Sequence, residues 1–165
     1  MKLLNFAALT MAAVFLVPVA ADGAEKADLV RVVKKQKRLY LMRDDEVLHS
    51  FRVAFGASPM GHKERQGDER TPEGRYVLDW KNAKSKFYLS IHISYPNAKD
   101  REHARKLGVS AGGDIMIHGQ PNGKEVFTSI TQLFNWTDGC IALSNKDMDV
   151  VWATVDPGTP IVIEP

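Results

Sequence analysis

The chain has 165 residues, 44% of them hydrophobic, and a formal net charge of +2, which fits one domain of moderate size with room for a proper core. Its 22 basic and 20 acidic residues nearly balance, and no concentrated basic patch marks a nucleic-acid partner, so that class is excluded. A single cysteine excludes a disulfide-stapled scaffold.

At the N-terminus, Lys2 precedes an apolar run from Leu3 to Val17, then Pro18 and the small residues Ala20 and Ala21. That is the layout of a secretory signal peptide over residues 1–21, cleaved after Ala21. The run is shorter than the ~20 apolar residues of a spanning helix, so no stable membrane insertion is expected once it is removed. Residues 22–27 read as a short linker and 28–165 as the folded domain.

Leu29 to Val33 and Arg38 to Arg43 alternate apolar with charged residues, predicting two strands joined by the basic turn Lys34-Lys35-Gln36-Lys37-Arg38, a solvated tip. Val47 to Phe55 supplies a third strand, completing a β-meander. Gly56 to Gly74 reads as a long loop, of a length that in compact domains tends to be functional or mobile. It ends in the turn signature Thr71-Pro72-Glu73-Gly74. Strands then resume over Arg75 to Trp80 and Lys86 to Tyr95. In the second of these, Phe87, Leu89, Ile91 and Ile93 point to the core, and Tyr88, Ser90, His92 and Ser94 point the other way.

Asn97 caps a predicted surface helix over Ala98 to Leu107 that stops at Gly108. After the short strand Ile115 to Ile117, Val126, Ile130, Leu133 and Phe134 recur at helical spacing. Ser144 and Asp147 start a last helix with the stripe Met148, Val151, Trp152 and Val155, and Pro160 to Ile163 forms a final strand. The fold class is mainly β, a β-sandwich or partly closed barrel with a few covering helices.

Cys140 sits in a polar turn, Thr137-Asp138-Gly139-Cys140, just before the apolar Ile141 to Leu143. An inert thiol packs as a small hydrophobe, and a polar turn is a poor place for one, so reactivity is the better reading. His118 ends the Ile115–Ile117 strand and is the natural base: imidazole takes the thiol proton and returns it to a leaving amine. The Gly119 carbonyl is a reasonable orienter for its ring. Gly139 permits a sharp turn before the nucleophile that places amide N–H groups where an oxyanion would form. His49, His62, His92 and His103 lack metal-ligand spacing.

Taken together, His118-Gly119 followed by Thr137-Asp138-Gly139-Cys140-Ile141 resembles the active-site motif of the L,D-transpeptidases, the YkuD-type domain. Gly56, Thr71-Pro72-Glu73-Gly74, Asn145 with Asp147, and Gly158-Thr159-Pro160 fall where that family has similar residues, so the resemblance spans roughly Leu29 to Ile163. It implies an L,D-transpeptidase-type fold and an exported enzyme of the periplasm, in a bacterium whose wall contains diaminopimelate. Cys140 would attack the diaminopimelate carbonyl of a stem tetrapeptide, with His118 as base and then acid and the amides of Gly139 and Cys140 stabilising the oxyanion. The thioacyl group would pass to an amine of another stem or of an envelope protein. Tyr95 and His92 are candidate cleft-wall residues and Arg70 a candidate for a substrate carboxylate. The resemblance implies no metal and no cofactor.

This chain departs from the pattern at two positions, Asp138 where the family commonly has a second histidine and Ala142 where an arginine or asparagine is usual. A carboxylate at 138 disfavours the thiolate. Water as acceptor would make the enzyme an L,D-carboxypeptidase or an amidase that releases a wall-linked protein. Loss of the chemistry would leave a non-catalytic peptidoglycan-binding module. A papain-like or NlpC-like peptidase fits less well, because its cysteine precedes its histidine.

Overall fold

The computed structural model describes residues 25–123 and 128–165. The leader read at 1–21 and Val126 lie outside the described residues. Of the expected linker, Ala27 is already part of the fold: its side chain is buried and its amide donates to the Thr154 carbonyl at 3.0 Å.

Three strands, β1 (Leu29–Val33), β2 (Arg38–Arg43) and β3 (Glu46–Arg52), form the expected antiparallel meander. Period-two alternation explains it: Val30, Val32, Leu39 and Leu41 are buried while Arg31 and Arg38 face outward. The basic turn between β1 and β2 is only partly a solvated tip. Lys35 is exposed, but Lys34 is buried and its ammonium donates to the carbonyls of Gly61 (2.7 Å) and Thr71 (3.2 Å) and to Glu73 Oε1 (2.7 Å). A turn lysine thus anchors the distant Gly56–Gly74 loop, because a buried ammonium needs a carboxylate and carbonyls around it.

The remaining strands are β4 (Gly74–Ser85), β5 (Tyr88–Ile93), β6 (Met116–His118), β7 (Ile141–Ala142) and β8 (Thr159–Glu164). All eight strands of the described residues lie in one sheet, in the order β3-β2-β1-β8-β4-β5-β6-β7. β8 sits centrally, parallel to β1 and antiparallel to β4. The two ends of this order meet. Beyond β3 the chain continues through Val53 to Phe55, and Ala54 forms a bridge with Ala142 of β7, its amide donating to the Ala142 carbonyl at 2.9 Å and the reverse bond measuring 2.8 Å. A second bridge joins Gly56 to Thr137. The sheet therefore curls into a partly closed barrel rather than a two-sheet sandwich, and its seam runs beside Cys140.

Among the described residues three α-helices accompany the sheet: α1 (Ala98–Lys106), α2 (Thr128–Thr131) and α3 (Asn145–Thr154). Asn97 and Asp100 form a full capping box on α1, and the Ser144 hydroxyl caps α3 by accepting from the Asp147 amide at 3.0 Å. α3 buries Met148 and Val151, as its stripe predicts. By contrast, Ile130, Leu133 and Phe134 are exposed, so the helical spacing read between the histidine and the cysteine does not mark a buried stripe; α2 is a single turn.

Candidate active site

The base and the nucleophile are brought together by strand register. β6 and β7 run parallel, with Ile117 opposite Ile141 and His118 opposite Ala142. Cys140, one residue before β7, therefore lies beside Met116, one residue before Ile117. Met116 and His118 share a face by the pleat, so the thiol and the imidazole emerge on the same side of the sheet. Consistent with this, the Met116 amide donates to Cys140 Sγ at 3.4 Å, and both Cys140 and His118 line one cavity of ≈ 680 Å³.

His118 is buried, and its Nδ1 lies 2.7 Å from the Gly119 carbonyl oxygen. A carbonyl only accepts, so Nδ1 carries the proton and Nε2 is the bare nitrogen, as a base requires. Phe87 lies against the ring at a centroid distance of 4.6 Å, and Trp136 meets it edge-on at 5.8 Å. Burial drives the imidazole pKa down to about 4, against the raising effect of the Gly119 hydrogen bond.

Gly119 has no room for a side chain: a Cβ there would sit 2.6 Å from Asn145 Oδ1 and 2.9 Å from Tyr88 Cβ. The next residue, Gln120, is buried; its amide donates to Asn145 Oδ1 at 2.8 Å and its Nε2 to the Leu143 carbonyl at 2.6 Å. The backbone leaving the histidine is thus tied to the backbone leaving the cysteine.

The nucleophile turn is built by close approach. Gly139 adopts φ +125°, and a Cβ on it would come within 2.6 Å of the Arg70 carbonyl oxygen, so glycine is required twice over. Thr71 Oγ1 donates to the Gly139 carbonyl at 2.9 Å, and Thr137 Oγ1 to the Cys140 carbonyl at 2.7 Å. Thr137 Oγ1 also accepts from the Gly139 amide at 3.2 Å, which commits one of the two amides expected to serve an oxyanion.

The thiol itself donates to the Asp114 carbonyl at 3.7 Å. Burial raises its pKa. The Met116 amide and Lys63 act to lower it, and Asp138 and Asp114 add to the rise. Both partners are therefore neutral at rest, a thiol and an uncharged imidazole rather than a thiolate–imidazolium pair.

The loop behind this turn is ordered by buried charge. Lys63 Nζ donates to Asp68 Oδ1 at 2.7 Å, with side-chain exposures of only 4% and 7%. Asp68 also accepts from the amides of Glu64, Arg65 and Arg70.

Three residues expected at the cleft lie elsewhere. Tyr95 is not a cleft wall: it is 3% exposed in the core, its hydroxyl donating to the Ala111 carbonyl at 3.0 Å. Tyr95 continues the core-facing series of Ile91 and Ile93, so the alternation itself puts it inside and not on the polar face with His92. His92 is stacked on Trp80 at 4.9 Å and held by Asp79 at 2.6 Å, outside the cavity around Cys140. Arg70 contributes its backbone to the turn, but its guanidinium pairs with Glu64 at 3.2 Å and lines a different cavity. Conversely, Phe87 was expected in the core and instead forms a cavity wall. Lys84, Lys86, Asp114 and Trp136 also line the cavity without a sequence signal that singles them out. Among the described residues, no group of three or more His, Cys, Asp or Glu side chains is placed to hold a metal ion.

Residues 27–163 match the YkuD family, the L,D-transpeptidase catalytic domain. The chain belongs to this family. It is 30% identical over 132 residues to "Putative L,D-transpeptidase YafK" of Escherichia coli K12, a match that spans 76% of this chain and 46% of that protein. The chain thus spans about half the length of the curated relatives it matches. Among solved structures it is similar to the helical cell shape determining protein Pgp2 of Campylobacter jejuni, with a TM-score of 0.62 and 26% identity over 86% of this chain and 48% of that one. Bd1075 of Bdellovibrio bacteriovorus shares the fold at a TM-score of 0.56 and 21% identity, over 88% of this chain and 50% of that one. The eight-stranded architecture is therefore that of the L,D-transpeptidase domains.

Proposed function

We propose that this protein is a peptidoglycan L,D-transpeptidase of the periplasm that works through a thioacyl intermediate on Cys140. The observation that carries the reading is the placement of Cys140 and His118 on adjacent parallel strand ends, facing one cavity, in a chain of this family. The substrate is the stem tetrapeptide, entered at the diaminopimelate carbonyl, and the amine acceptor is a second stem or an envelope protein.

In the first half-reaction the thiol proton turns from the Asp114 carbonyl to Nε2 of His118 as sulfur attacks the carbonyl carbon. Since both groups start neutral, proton transfer accompanies attack instead of preceding it. We assign the Cys140 amide to the oxyanion, the Gly139 amide being held by Thr137. Collapse breaks the C–N bond, and His118 returns the proton to the departing D-alanine amine. In the second half-reaction an acceptor amine attacks the thioester and loses its proton through His118 to the sulfur, which leaves as the thiol.

Incubation with defined muropeptides tests this reading. Dimers linked between two diaminopimelates are the expected product, and Cys140→Ala abolishes them. Tripeptide alone would assign water as the acceptor and make the protein a carboxypeptidase or amidase. A thiol that forms no adduct with muropeptide or carbapenem would leave only a binding module.

A further inference from the structure

The cavity around Cys140 is lined by charges of both signs, Asp114 and Asp138 together with Lys84 and Lys86, and by the aromatic residues Phe87 and Trp136. The two aspartates also line an adjoining cavity that neither lysine reaches, so the acidic and basic groups lie apart. The two lysines lie at and next to the turn between β4 and β5, and both are exposed. Among the described residues, Lys26, Lys34, Lys63 and Lys106 are paired with carboxylates, and neither Lys84 nor Lys86 is.

The backbone beneath these lysines is fixed. The Asn122 side chain donates to the Ser85 carbonyl at 3.1 Å and accepts from the Tyr88 amide at 2.9 Å, and the Asn122 amide donates to the Lys86 carbonyl at 3.1 Å. The Gly119 amide donates to the Phe87 carbonyl at 3.1 Å, and the Gly119 carbonyl holds His118. The roots of both lysines are therefore held in a set relation to the base, which is what a positioning site needs.

We propose that Lys84 and Lys86 form the subsite that reads a carboxylate at the scissile end of the donor peptide, that of diaminopimelate or of the terminal D-alanine. The inference rests on the function proposed above, which supplies a substrate with free carboxylates. The acidic side of the cavity repels such a group and the unpaired ammonium groups attract it, so charge alone sets the direction in which the peptide lies. An ammonium is a point charge on a flexible stem, suited to a carboxylate that swings as the scissile carbonyl rehybridises.

The test is peptide affinity in the Cys140→Ala protein, where no chemistry intervenes. Three diaminopimelate tetrapeptides are titrated: one with all carboxylates free, one amidated at its C-terminus and one amidated at the diaminopimelate carboxyl. Replacing both lysines by glutamine (K84Q/K86Q) is expected to weaken the free peptide about tenfold, an effect typical of losing charge-assisted hydrogen bonds. The change shrinks in 1 M salt, and K84R/K86R retains the affinity. One amidated peptide binds both proteins equally, and that peptide names the carboxylate.

Equal losses on all three peptides, no loss on any, or no peptide binding to the parent protein would overturn the subsite. Lysine-dependent binding without a thioacyl adduct in the Cys140 protein upholds the subsite while breaking the proposed chemistry. An adduct formed equally fast with and without the lysines does the reverse. Melting curves of the glutamine variant confirm that it is folded.

Discussion

Two regions meet at the Cys140 turn and are held by different physics. On one side the β6–β7 edge places His118 through strand register, a buried ring contact with Phe87 and a backbone carbonyl. On the other side the Gly56–Gly74 loop has no strand pairing of its own apart from its two end residues, Gly56 at the seam and Gly74 in β4. Its shape comes from Lys34 and Lys63, two buried ammonium groups wrapped by carbonyls and carboxylates. The base is positioned by repetitive backbone bonds. The nucleophile turn is braced by single, irreplaceable polar contacts, such as Thr71 Oγ1 to the Gly139 carbonyl. Damage on the first side should therefore appear in the chemistry, and damage on the second in stability.

The sharpest way to break this contrast is His118→Gln. It keeps a polar side chain in the site but removes the base, and the rate of thioacyl formation is expected to fall by about 10²–10⁴-fold. The melting temperature should change little by comparison. In the unsubstituted protein the imidazole stays neutral down to about pH 4, so the acid limb of the rate profile belongs near 4 and not near 6.5. The sign follows from burial: a lowered pKa keeps His118 in its basic form as pH falls through the range where an exposed histidine would be protonated. An acid limb near 6.5 would show that the ring is solvated in the working enzyme.

On the loop side the test is Lys63→Met. Removing one member of a buried ion pair leaves the other uncompensated, and about 3 kcal/mol of stability is expected to go with it. Asp68 sets the pH dependence. Its burial raises the pKa, yet the hydrogen bond from Lys63 and the three backbone amides outweigh that and bring it from 3.8 down to about 2. A depressed carboxylate pKa contributes stability that is fully present above 3.8 and lost as pH falls through about 2. Urea unfolding at pH 7 and at pH 2.5 should thus show a smaller effect of Lys63→Met in acid. An equal effect at both values would mean that Lys63 acts through packing.

The same division governs how much can be read from sequence. The meander, both capped helices and the pairing of Cys140 with His118 follow from local signals: period-two alternation, Asn97 with Asp100, Ser144 with Asp147, and a histidine and a cysteine at strand ends. What escapes is whatever depends on distant partners. Nothing in the basic turn distinguishes Lys34, which is buried against Thr71 and Glu73, from its solvated neighbour Lys35. Alternation assigns Phe87 to the core, but the strand begins after it, so the rule does not reach it. Tyr95 does follow the buried series of Ile91 and Ile93, so alternation gives it no place on a cleft wall. Gln120 carries only the hint that a polar residue directly follows His118-Gly119. The seam between Ala54 and Ala142 has no local signature, because both are small residues in apolar runs.

The smallest expected effect lies where the two regions touch the thiol together. Asp138 is exposed, so its influence on Cys140 is screened, yet its charge still works against the thiolate. Asp138→Asn removes that charge without changing the shape of the turn. The sign is fixed: with one source of repulsion gone the thiol pKa falls, and the alkylation curve shifts to lower pH. At pH 8 the rate of reaction with iodoacetamide should rise about two- to threefold, and the gain should shrink in 1 M salt. Burial would still hold the thiol above its ordinary value in the variant, since it is the largest cause of the rise. A tenfold or larger gain would mean that the carboxylate, and not burial, governs the nucleophile. The contrast between a register-built base and a loop-braced nucleophile would then have to include a third element, the charge of the turn itself.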